Sequence, residues 1–281
     1  MPRLVVEFTK MNGAGNDFVV IDNRFFHFSD AELSAMAPRL CRRRFGIGAD
    51  GILAYNPPEN PDHHFRMRYV NADGSIGTMC GNGARCLSRF ARRAGLNETN
   101  MVFETDAGVL RAHVPERDDA PVRIYLSPPR SFTAEKDLES AEAREAGPVH
   151  YIWTGTEHAV CFVGDVDKVP VERWGPAIRR DPALLPAGAN VDFVQASADG
   201  SAVLRARTYE KGVEGETLAC GTGAVASAIA ARLTGRVAGD RIDVEMPGGT
   251  LTVGFQVKGI EVTDVYLEGP AEVVYRGTVE I

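Results

Sequence analysis

Hydrophobic and polar positions alternate along much of the chain, which predicts many short strands separated by turns. Runs of this kind lie at residues 4–8, 18–21, 64–70, 101–105, 109–114 and 122–126, and again at 149–153, 158–163, 190–195 and 202–209. A period of two is typical of strands that bury one face. From Arg241 onward nearly the whole chain has this pattern. Strands are therefore predicted to outnumber helices.

Few segments have a helical period. Helices are predicted at residues 30–42, 81–94, 171–179 and 224–233. Ser29 and Glu32 have the spacing of a capping box, which places the start of the first helix. The last helix is apolar nearly all round, so it should be buried on most sides. The charged, alanine-rich segment 133–147 is expected to be exposed.

A short cysteine motif occurs twice, about half the chain apart. Residues 80–86 read CGNGARC, and residues 220–226 read CGTGAVA. Each copy precedes a predicted helix. The repeat predicts two similar halves, each a strand-rich sheet wrapped around one helix that begins at the cysteine. The Ser-Pro-Pro-Arg segment at residues 127–130 is the predicted boundary between the halves.

Bulk composition narrows the class of protein. The 281 residues, 44% of them hydrophobic, suffice for two domains. A net charge of −7 argues against a nucleic-acid partner. The sequence contains no apolar run of about 20 residues and no signal region, so neither a membrane span nor export is expected, and we expect a cytoplasmic protein. Five cysteines indicate reduced thiols rather than a disulfide framework.

Residues 46–51 match, by letters, the G-x-G-x-x-G of dinucleotide-binding loops. That fingerprint must follow a strand and open a helix. Here three arginines precede it, and the apolar residues 52–55 that follow predict a strand. We interpret the segment as a tight loop. A nucleotide-binding oxidoreductase remains an alternative that rests on this segment alone.

The doubled motif suits acid–base chemistry at a carbon next to a carboxylate. A cysteine at a helix start lies at the positive end of the peptide dipoles, which is expected to lower its pKa. The neighbouring glycines let backbone N–H groups reach a carboxylate. With two such cysteines, one removes a proton and the other returns one on the opposite face, with neither metal nor cofactor. The alternative is a helix-entry turn with a small buried cysteine, and the second copy favours function.

The remaining cysteines have simpler interpretations. Cys86 has no counterpart in the second copy, where Ala226 stands, so a structural role is expected. Cys41 lies in a predicted helix and Cys161 in an apolar strand, and both are interpreted as core thiols.

Several motifs together resemble those of the diaminopimelate epimerase family over essentially the whole chain. They are KMNGAGNDF at 10–18, FGIGAD at 45–50, NADGS at 71–75, MCGNGARC at 79–86 and GETLACGTG at 215–223. The resemblance implies an α/β (α+β) fold of two pseudo-symmetric domains, each a β-rich shell around a central helix, with the active site in the interdomain cleft. It implies that the last strand returns to the first domain. The expected domains are residues 1–127 plus 270–281, carrying Cys80, and residues 128–269, carrying Cys220.

The same resemblance implies a function and its site. The implied reaction is cofactor-independent interconversion of LL- and meso-diaminopimelate, in lysine and peptidoglycan synthesis, with Cys80 and Cys220 as acid and base. The substrate-binding residues carried over by position are Asn16, Asn71, Gly81, Asn82, Thr156, His158, Asn190, Glu210, Lys211, Gly221 and Thr222. Among them, the glycines with Asn82 and Thr222 should donate N–H groups to the reacting carboxylate, and Glu210 should hold an ammonium group. A homodimer is expected on general grounds.

Two positions depart from the family pattern. Gly-Asn-Pro-His is common where this chain has Gly155-Thr156-Glu157-His158, and Glu-Arg is common where it has Glu210-Lys211. Both changes fall where the distal end of the substrate is expected, and lysine replaces a bidentate carboxylate clamp with a point charge. An epimerase or racemase of the same fold acting on another amino acid is therefore an alternative. A non-catalytic amino-acid-binding protein is another.

Overall fold

A computed structural model describes residues 4–281 of the chain. The chain divides into two compact units, of which the first contains the described residues up to Tyr125 together with Glu268–Ile281 and the second contains Leu126–Leu267. Strands outnumber helices in both units, which confirms the mixed α/β, strand-rich fold class. Within residues 4–281, no helix combines the length and the apolar composition that crossing a membrane requires.

The helices and strands follow one another in a regular order. They are, in chain order, β1 (Val5–Gly13), β2 (Asn16–Asp22), α1 (Asn23–Phe26), α2 (Asp30–Leu40), β3 (Gly51–Asn56), β4 (Phe65–Asn71), β5 (Ile76–Gly77), α3 (Gly81–Arg93), β6 (Asn100–Thr105), β7 (Gly108–His113), β8 (Val122–Tyr125), β9 (Arg130–Thr133), α4 (Ala141–Ala146), β10 (Val149–Trp153), β11 (Glu157–Phe162), α5 (Val171–Arg179), β12 (Asn190–Ala196), β13 (Val203–Glu210), β14 (Gly215–Thr217), α6 (Gly221–Leu233), β15 (Arg241–Met246), β16 (Gly249–Lys258), β17 (Glu261–Gly269) and β18 (Glu272–Glu280). Short 3-10 turns lie at Val166–Lys168 and Pro182–Leu184.

The first unit wraps its strands around α3. Strand β1 pairs antiparallel with β18 and with β2, and β2 pairs in parallel with β3. Strand β3 pairs antiparallel with β4, which pairs in parallel with β6 and carries the short β5. Antiparallel pairings of β6 with β7 and of β7 with β8 follow. Helix α3 contacts β1 to β4 and β8, so it forms the centre of the unit.

The second unit repeats this topology around α6. Strand β10 pairs antiparallel with β9 and β11, and β11 pairs in parallel with β12. Strand β12 pairs antiparallel with β13, which carries the short β14 and pairs in parallel with β15, followed by an antiparallel β16. Helix α6 contacts β10 to β13, β15 and β16. The same order and direction of pairings confirm the prediction of two similar halves built around the cysteine helices.

The two central helices differ in what they bury. Residues 223–231 of α6 are all buried, as its apolar composition predicts. Helix α3 buries Arg85 and Arg89 as well as its apolar residues. Arg89 donates hydrogen bonds to the carbonyls of Pro115 and Ala120, at 2.8 and 2.7 Å. A buried guanidinium is tolerated because these carbonyls replace water as acceptors.

The structure corrects some predicted boundaries. Strand β1 continues through Gly13 because its ladder with β18 extends to Asn12, so the predicted turn shrinks to Ala14 and Gly15, both with positive φ. Helix α2 has the predicted capping box but ends at Leu40. The segment 133–147 is largely exposed, as predicted, but it also contains α4, which packs Ala143 and Ala146 into the core of the second unit.

Glu104 in β6 anchors the loop that precedes β4, and we expect its charge to stabilise the protein. Burial raises its pKa, but hydrogen bonds from the Glu59 and Asn60 N–H groups and from His63 lower that pKa to about 2, from 4.5. Because the folded-state pKa is the lower one, this stabilisation exists above 4.5 and is lost as pH falls towards 2. Glu104→Gln should cost about 1–3 kcal/mol of unfolding free energy at neutral pH.

Urea unfolding across the acid range measures this effect. The difference between Glu104→Gln and the unaltered protein should shrink as pH falls from 4.5 towards 2. The exposed Glu98→Gln removes the same charge and serves as the control. A difference that is constant with pH would contradict the assignment.

Candidate active site

Helix α3 begins directly after the half-buried Cys80, which has extended backbone angles and caps the helix. The Gly83 N–H donates to Cys80 Sγ at 3.5 Å. The N–H groups of Gly81 and Asn82 occupy the first turn, where a helix supplies no acceptors of its own. This corner therefore combines a thiol with backbone donors, an arrangement that suits a carboxylate ligand.

The amide of Asn16, at the start of β2, joins Cys80 to Asn82. The Cys80 thiol donates to Asn16 Oδ1 at 3.5 Å, and Asn82 Nδ2 donates to the same oxygen at 3.4 Å. The Asn16 Nδ2 group donates to Asp50 Oδ2 at 2.5 Å. The first unit thus brings together three of the sequence-predicted site residues and adds Asp50.

A cluster of charges lies behind Asn16. Arg43 bonds the carboxylates of Asp17 and Asp50 at 2.6 and 2.9 Å, and Lys10 bonds Asp17 at 2.5 Å and also the carbonyl of Gly48. Burial raises the pKa of Asp17, but hydrogen bonds from Arg43 and Lys10 outweigh it, and the pKa is lowered. The cluster ties the loop at residues 46–51 to β2. That loop enters strand β3, as predicted, and not a helix.

Asn71 lies at the end of β4, opposite Gly51 in the ladder with β3. Its Nδ2 donates to Ser75 Oγ at 2.9 Å within the following turn. This places Asn71 beside the loop that carries Asp50, while its amide bonds to its own turn and not to Asn16.

Helix α6 begins at Cys220 in the same manner, and here the cysteine is buried. The Gly223 N–H donates to Cys220 Sγ at 3.4 Å, and the Thr222 hydroxyl lies 3.5 Å from the sulfur. Gly221 opens the first turn, and the Thr222 carbonyl accepts from Thr154 Oγ1 at 3.0 Å. The second copy of the motif therefore builds the same cap, with a hydroxyl as the partner of the thiol.

A fully buried polar network supports this second corner. His158 Nδ1 lies 2.7 Å from Asp192 Oδ2, and Asp192 Oδ1 accepts from Thr208 Oγ1 at 2.7 Å. The carboxylate accepts only, so His158 carries its proton on Nδ1. Nε2 then faces the Asn190 amide at 3.4 Å. The network fixes the tautomer and the orientation of the imidazole.

The residues at the two positions that depart from the family pattern contact each other. Lys211 Nζ bonds Glu157 Oε2 at 2.6 Å, and the Thr156 hydroxyl donates to the same oxygen at 3.1 Å. Asn190 links the pair further, accepting from the Lys211 N–H at 2.8 Å and donating to the Glu157 carbonyl at 3.2 Å. Burial raises the pKa of Glu157, but the bond and charge of Lys211, together with a backbone N–H and the Thr156 hydroxyl, outweigh burial and lower the pKa. The Glu157 carboxylate is therefore charged.

The prediction of a lowered pKa is wrong for Cys220. Burial raises its pKa well above the ordinary value, and the carboxylates of Glu210 and Asp192 raise it further. Hydrogen bonds from Thr222 and the Gly223 N–H act in the opposite direction but are weaker. Cys220 is accordingly a neutral thiol, a form that holds a proton to deliver.

One known family matches most of the chain. The model of the diaminopimelate epimerase family matches residues 8–131 and 150–274. The chain belongs to the diaminopimelate epimerase family. Curated diaminopimelate epimerases include one from Chlorobaculum tepidum, 41% identical and covering 96% of this chain and 100% of that protein, and one from Methanocella arvoryzae, 41% identical with 98% and 97% covered.

Solved structures extend the family likeness to the fold. A PhzF-family phenazine biosynthesis protein from Bacillus anthracis has a TM-score of 0.75 at 17% identity, covering 99% of this chain and 100% of that one. A hydroxyproline epimerase from Agrobacterium vitis has a TM-score of 0.70 at 18% identity, covering 100% and 92%. At such identities the likeness concerns the fold that this epimerase family shares.

Three residues of the two corners were not predicted as site residues. Asp192 holds His158, Thr208 holds Asp192, and Asp50 holds Asn16. Asp192 has a sequence signal, since it is an acid between the apolar residues Val191 and Phe193 of the buried part of β12. Thr208 has none, because a threonine is ordinary in a strand.

Proposed function

We propose that the protein interconverts LL- and meso-diaminopimelate without a cofactor, using Cys80 and Cys220 as acid and base. The observation that carries the proposal is the doubled cysteine cap, in which each thiol accepts a hydrogen bond from the glycine N–H three residues on. Near-full-length identity of 41% to a curated diaminopimelate epimerase supports this substrate over another amino acid.

In the proposed reaction, one thiolate takes the α-proton and the opposing thiol supplies a proton to the other face. Charge then develops on the carboxylate. The backbone donors at Gly81 with Asn82, and at Gly221 with Thr222, are placed to stabilise it, an effect worth several kcal/mol. The raised pKa of Cys220 supports its role as a proton donor in the resting protein.

The remaining predicted residues take binding roles in this proposal. Asn16, Asn71 and Asn190 hold the substrate, Glu210 holds an ammonium group, and His158 lines the site. The fixed orientation of the His158 imidazole supports a role that needs a defined tautomer.

Proton NMR of LL-diaminopimelate in D2O with reductant tests the proposal. We expect loss of the α-proton signal together with formation of the meso isomer. Inversion should be absent in Cys80→Ala. An unaltered protein that inverts another amino acid, but leaves diaminopimelate untouched, would overturn the substrate assignment. Saturable binding without proton exchange would indicate a binding protein instead.

Lys211 is expected to bind the distal carboxylate. One charge-assisted hydrogen bond is worth about 1.5–3 kcal/mol, so Lys211→Met should raise KM by about 10–100-fold with a smaller change in kcat. Glu157→Gln is the matched variant, because it releases Lys211 from its ion pair and should not raise KM. Steady-state kinetics on both variants measure this. An unchanged KM in Lys211→Met would place the distal carboxylate elsewhere.

The proposal includes a cytoplasmic homodimer. Five free thiols support a reducing compartment. Exposed apolar side chains on β1 and β18, at Val5, Val274 and Tyr275, support a surface that a second copy covers. Light scattering should give twice the chain mass, and Val274→Asp should shift the protein towards the monomer. A monomeric unaltered protein at micromolar concentration would overturn the dimer.

A further inference from the structure

We propose that Asp50 is a positioning residue that determines which end of the Asn16 amide faces Cys80. The inference rests on the proposed catalytic role of Cys80. It gives a function to the loop at residues 46–51, whose glycine pattern enters a strand and not the helix that a dinucleotide-binding loop requires. The loop instead delivers a carboxylate to the back of Asn16.

The orientation follows from the chemistry of the partners. An ionised carboxylate only accepts hydrogen bonds, so it must face the NH2 end of the amide. Asp50 Oδ2 accepts from Asn16 Nδ2 at 2.5 Å and from the Asp17 N–H at 3.0 Å, and Arg43 occupies Oδ1. These three donors hold the Asp50 carboxylate in a single orientation. The carbonyl end of Asn16 must then point away from Asp50.

That carbonyl end meets the thiol. Asn16 Oδ1 accepts from Cys80 Sγ at 3.5 Å and from Asn82 Nδ2 at 3.4 Å. An acceptor beside the sulfur favours the protonated thiol. A reversed amide would present N–H groups, which favour the thiolate. Asp50 therefore keeps the Asn16 Oδ1 acceptor beside Cys80. Without Asp50, the Asn16 amide could adopt either of two orientations.

The thiol of the second unit has a different kind of partner, supplied by its own helix. Cys220 faces the Thr222 hydroxyl, which donates or accepts by rotating its proton. A hydroxyl can accept from a thiol or donate to a thiolate by rotating its own proton. An amide can do both only if the whole group turns over. This difference explains why the carboxylate that orients the partner of the thiol is needed at Cys80.

Other charges surround this point, and the experiment must separate them from orientation. They are Lys10 on β1, Asp17 on β2, Arg43 and Asp50 on the loop after α2, and the buried Arg85 on α3, which interacts electrostatically with Cys80. Removing the Asp50 charge alone already favours a thiolate nearby. A test therefore needs two variants that lose the same charge.

Asp50→Asn and Asp50→Ala form such a pair. Asparagine keeps an oxygen for the fixed Asp17 N–H, and hence an acceptor for Asn16, whereas alanine removes the acceptor. The readout is the rate of iodoacetamide alkylation of Cys80 at neutral pH in a Cys220→Ala background, with the peptide identified by mass spectrometry. Cys41 and Cys86 compete weakly because burial raises the pKa of each to about 12. Buried Cys161 has a raised pKa as well.

With Asn16 present, Asp50→Ala should be alkylated about tenfold faster than Asp50→Asn. With Asn16→Ala added, the two variants should react at equal rates, because the amide through which Asp50 acts is gone. Equal rates with Asn16 present would overturn the proposal, as would the same ratio in both backgrounds. The assay uses no substrate, so a failed epimerase assignment leaves its outcome readable.

A second measurement needs no Asp50 variant. In the unaltered protein the side-chain NH2 of Asn16 should exchange with solvent at least tenfold more slowly than that of the exposed Asn97. Exchange as fast as at Asn97 would show that the carboxylate does not hold the amide, and would overturn the proposal even if Asp50→Ala failed to fold.

Discussion

Replacing Cys220 by alanine should abolish epimerisation, leaving less than about one thousandth of the rate. A positioned acid or base contributes about 10²–10⁴-fold, and a two-base inversion without one partner has no group to serve the second face. The loss should appear in kcat, because the backbone N–H donors proposed to hold the carboxylate remain. The variant removes one sulfur from a buried helix cap, so the second unit should keep its fold.

Comparison with Cys41→Ala makes this result specific. Cys41 is a buried thiol at the end of α2, and burial raises its pKa to about 12. Its replacement should cost stability while leaving kcat within about twofold, as for a core thiol with no chemical role. The conversion of LL-diaminopimelate by the two variants is compared by optical rotation or NMR at equal concentrations of folded protein. Inversion by Cys220→Ala at near-normal rate would contradict the two-cysteine mechanism.

The two similar halves could be predicted from the sequence because the same local motif occurs twice. The repeat of Cys-Gly-x-Gly-Ala predicted two halves, and each half has the same strand pairings around the helix that follows its cysteine. Helix α6 was predicted as buried from its composition alone, and Ser29 with Glu32 placed the start of α2. These features depend on neighbours within a few residues.

The polar networks depend on pairing between distant strands, which no local pattern encodes. Parallel pairing of β11 with β12 sets His158 opposite Asn190, which brings Asp192 within reach of the imidazole. The ion pair of Glu157 with Lys211 likewise joins the start of β11 to the residue after β13. Sequence reasoning identified some members of each network but not what they bond.

The pKa of Cys220 shows why a correct local principle failed. The helix start does donate an N–H to the sulfur, which favours the thiolate. Burial and two nearby carboxylates favour the thiol, and they prevail. Only the packed structure reveals the burial, so the balance between these effects could not be read from a motif.

Gly223→Ala should damage the second unit far more than the equivalent Gly83→Ala damages the first. A Cβ at position 223 would lie 2.4 Å from Asp192 Oδ1, whereas at position 83 it would meet side-chain methyl groups of Leu53 and Met67 at 3.0 and 3.3 Å. Flexible methyl groups move aside. The Asp192 carboxylate does not, because His158 and Thr208 hold both of its oxygens.

The magnitudes follow from opposing effects at the same helix position. Alanine in place of glycine favours each helix by about 1 kcal/mol. At position 83 this gain offsets the mild crowding, so the unfolding free energy of Gly83→Ala should stay within about 1 kcal/mol of that of the unaltered protein. At Gly223 the overpacking and the disturbed buried network should cost about 2–4 kcal/mol. Because the Gly223 N–H also donates to Cys220 Sγ, displacing it should lower kcat about 100-fold or more.

Urea unfolding and steady-state kinetics on the two variants provide the comparison. The expected pattern is an asymmetry between matched positions of a repeated motif, caused by the carboxylate that only the second copy has beneath it. An additional Asp192→Asn change should not rescue Gly223→Ala, since the amide is as large as the carboxylate. Equal losses at both glycines would contradict the role of Asp192, because they would show that the two helix starts tolerate a methyl group to the same degree.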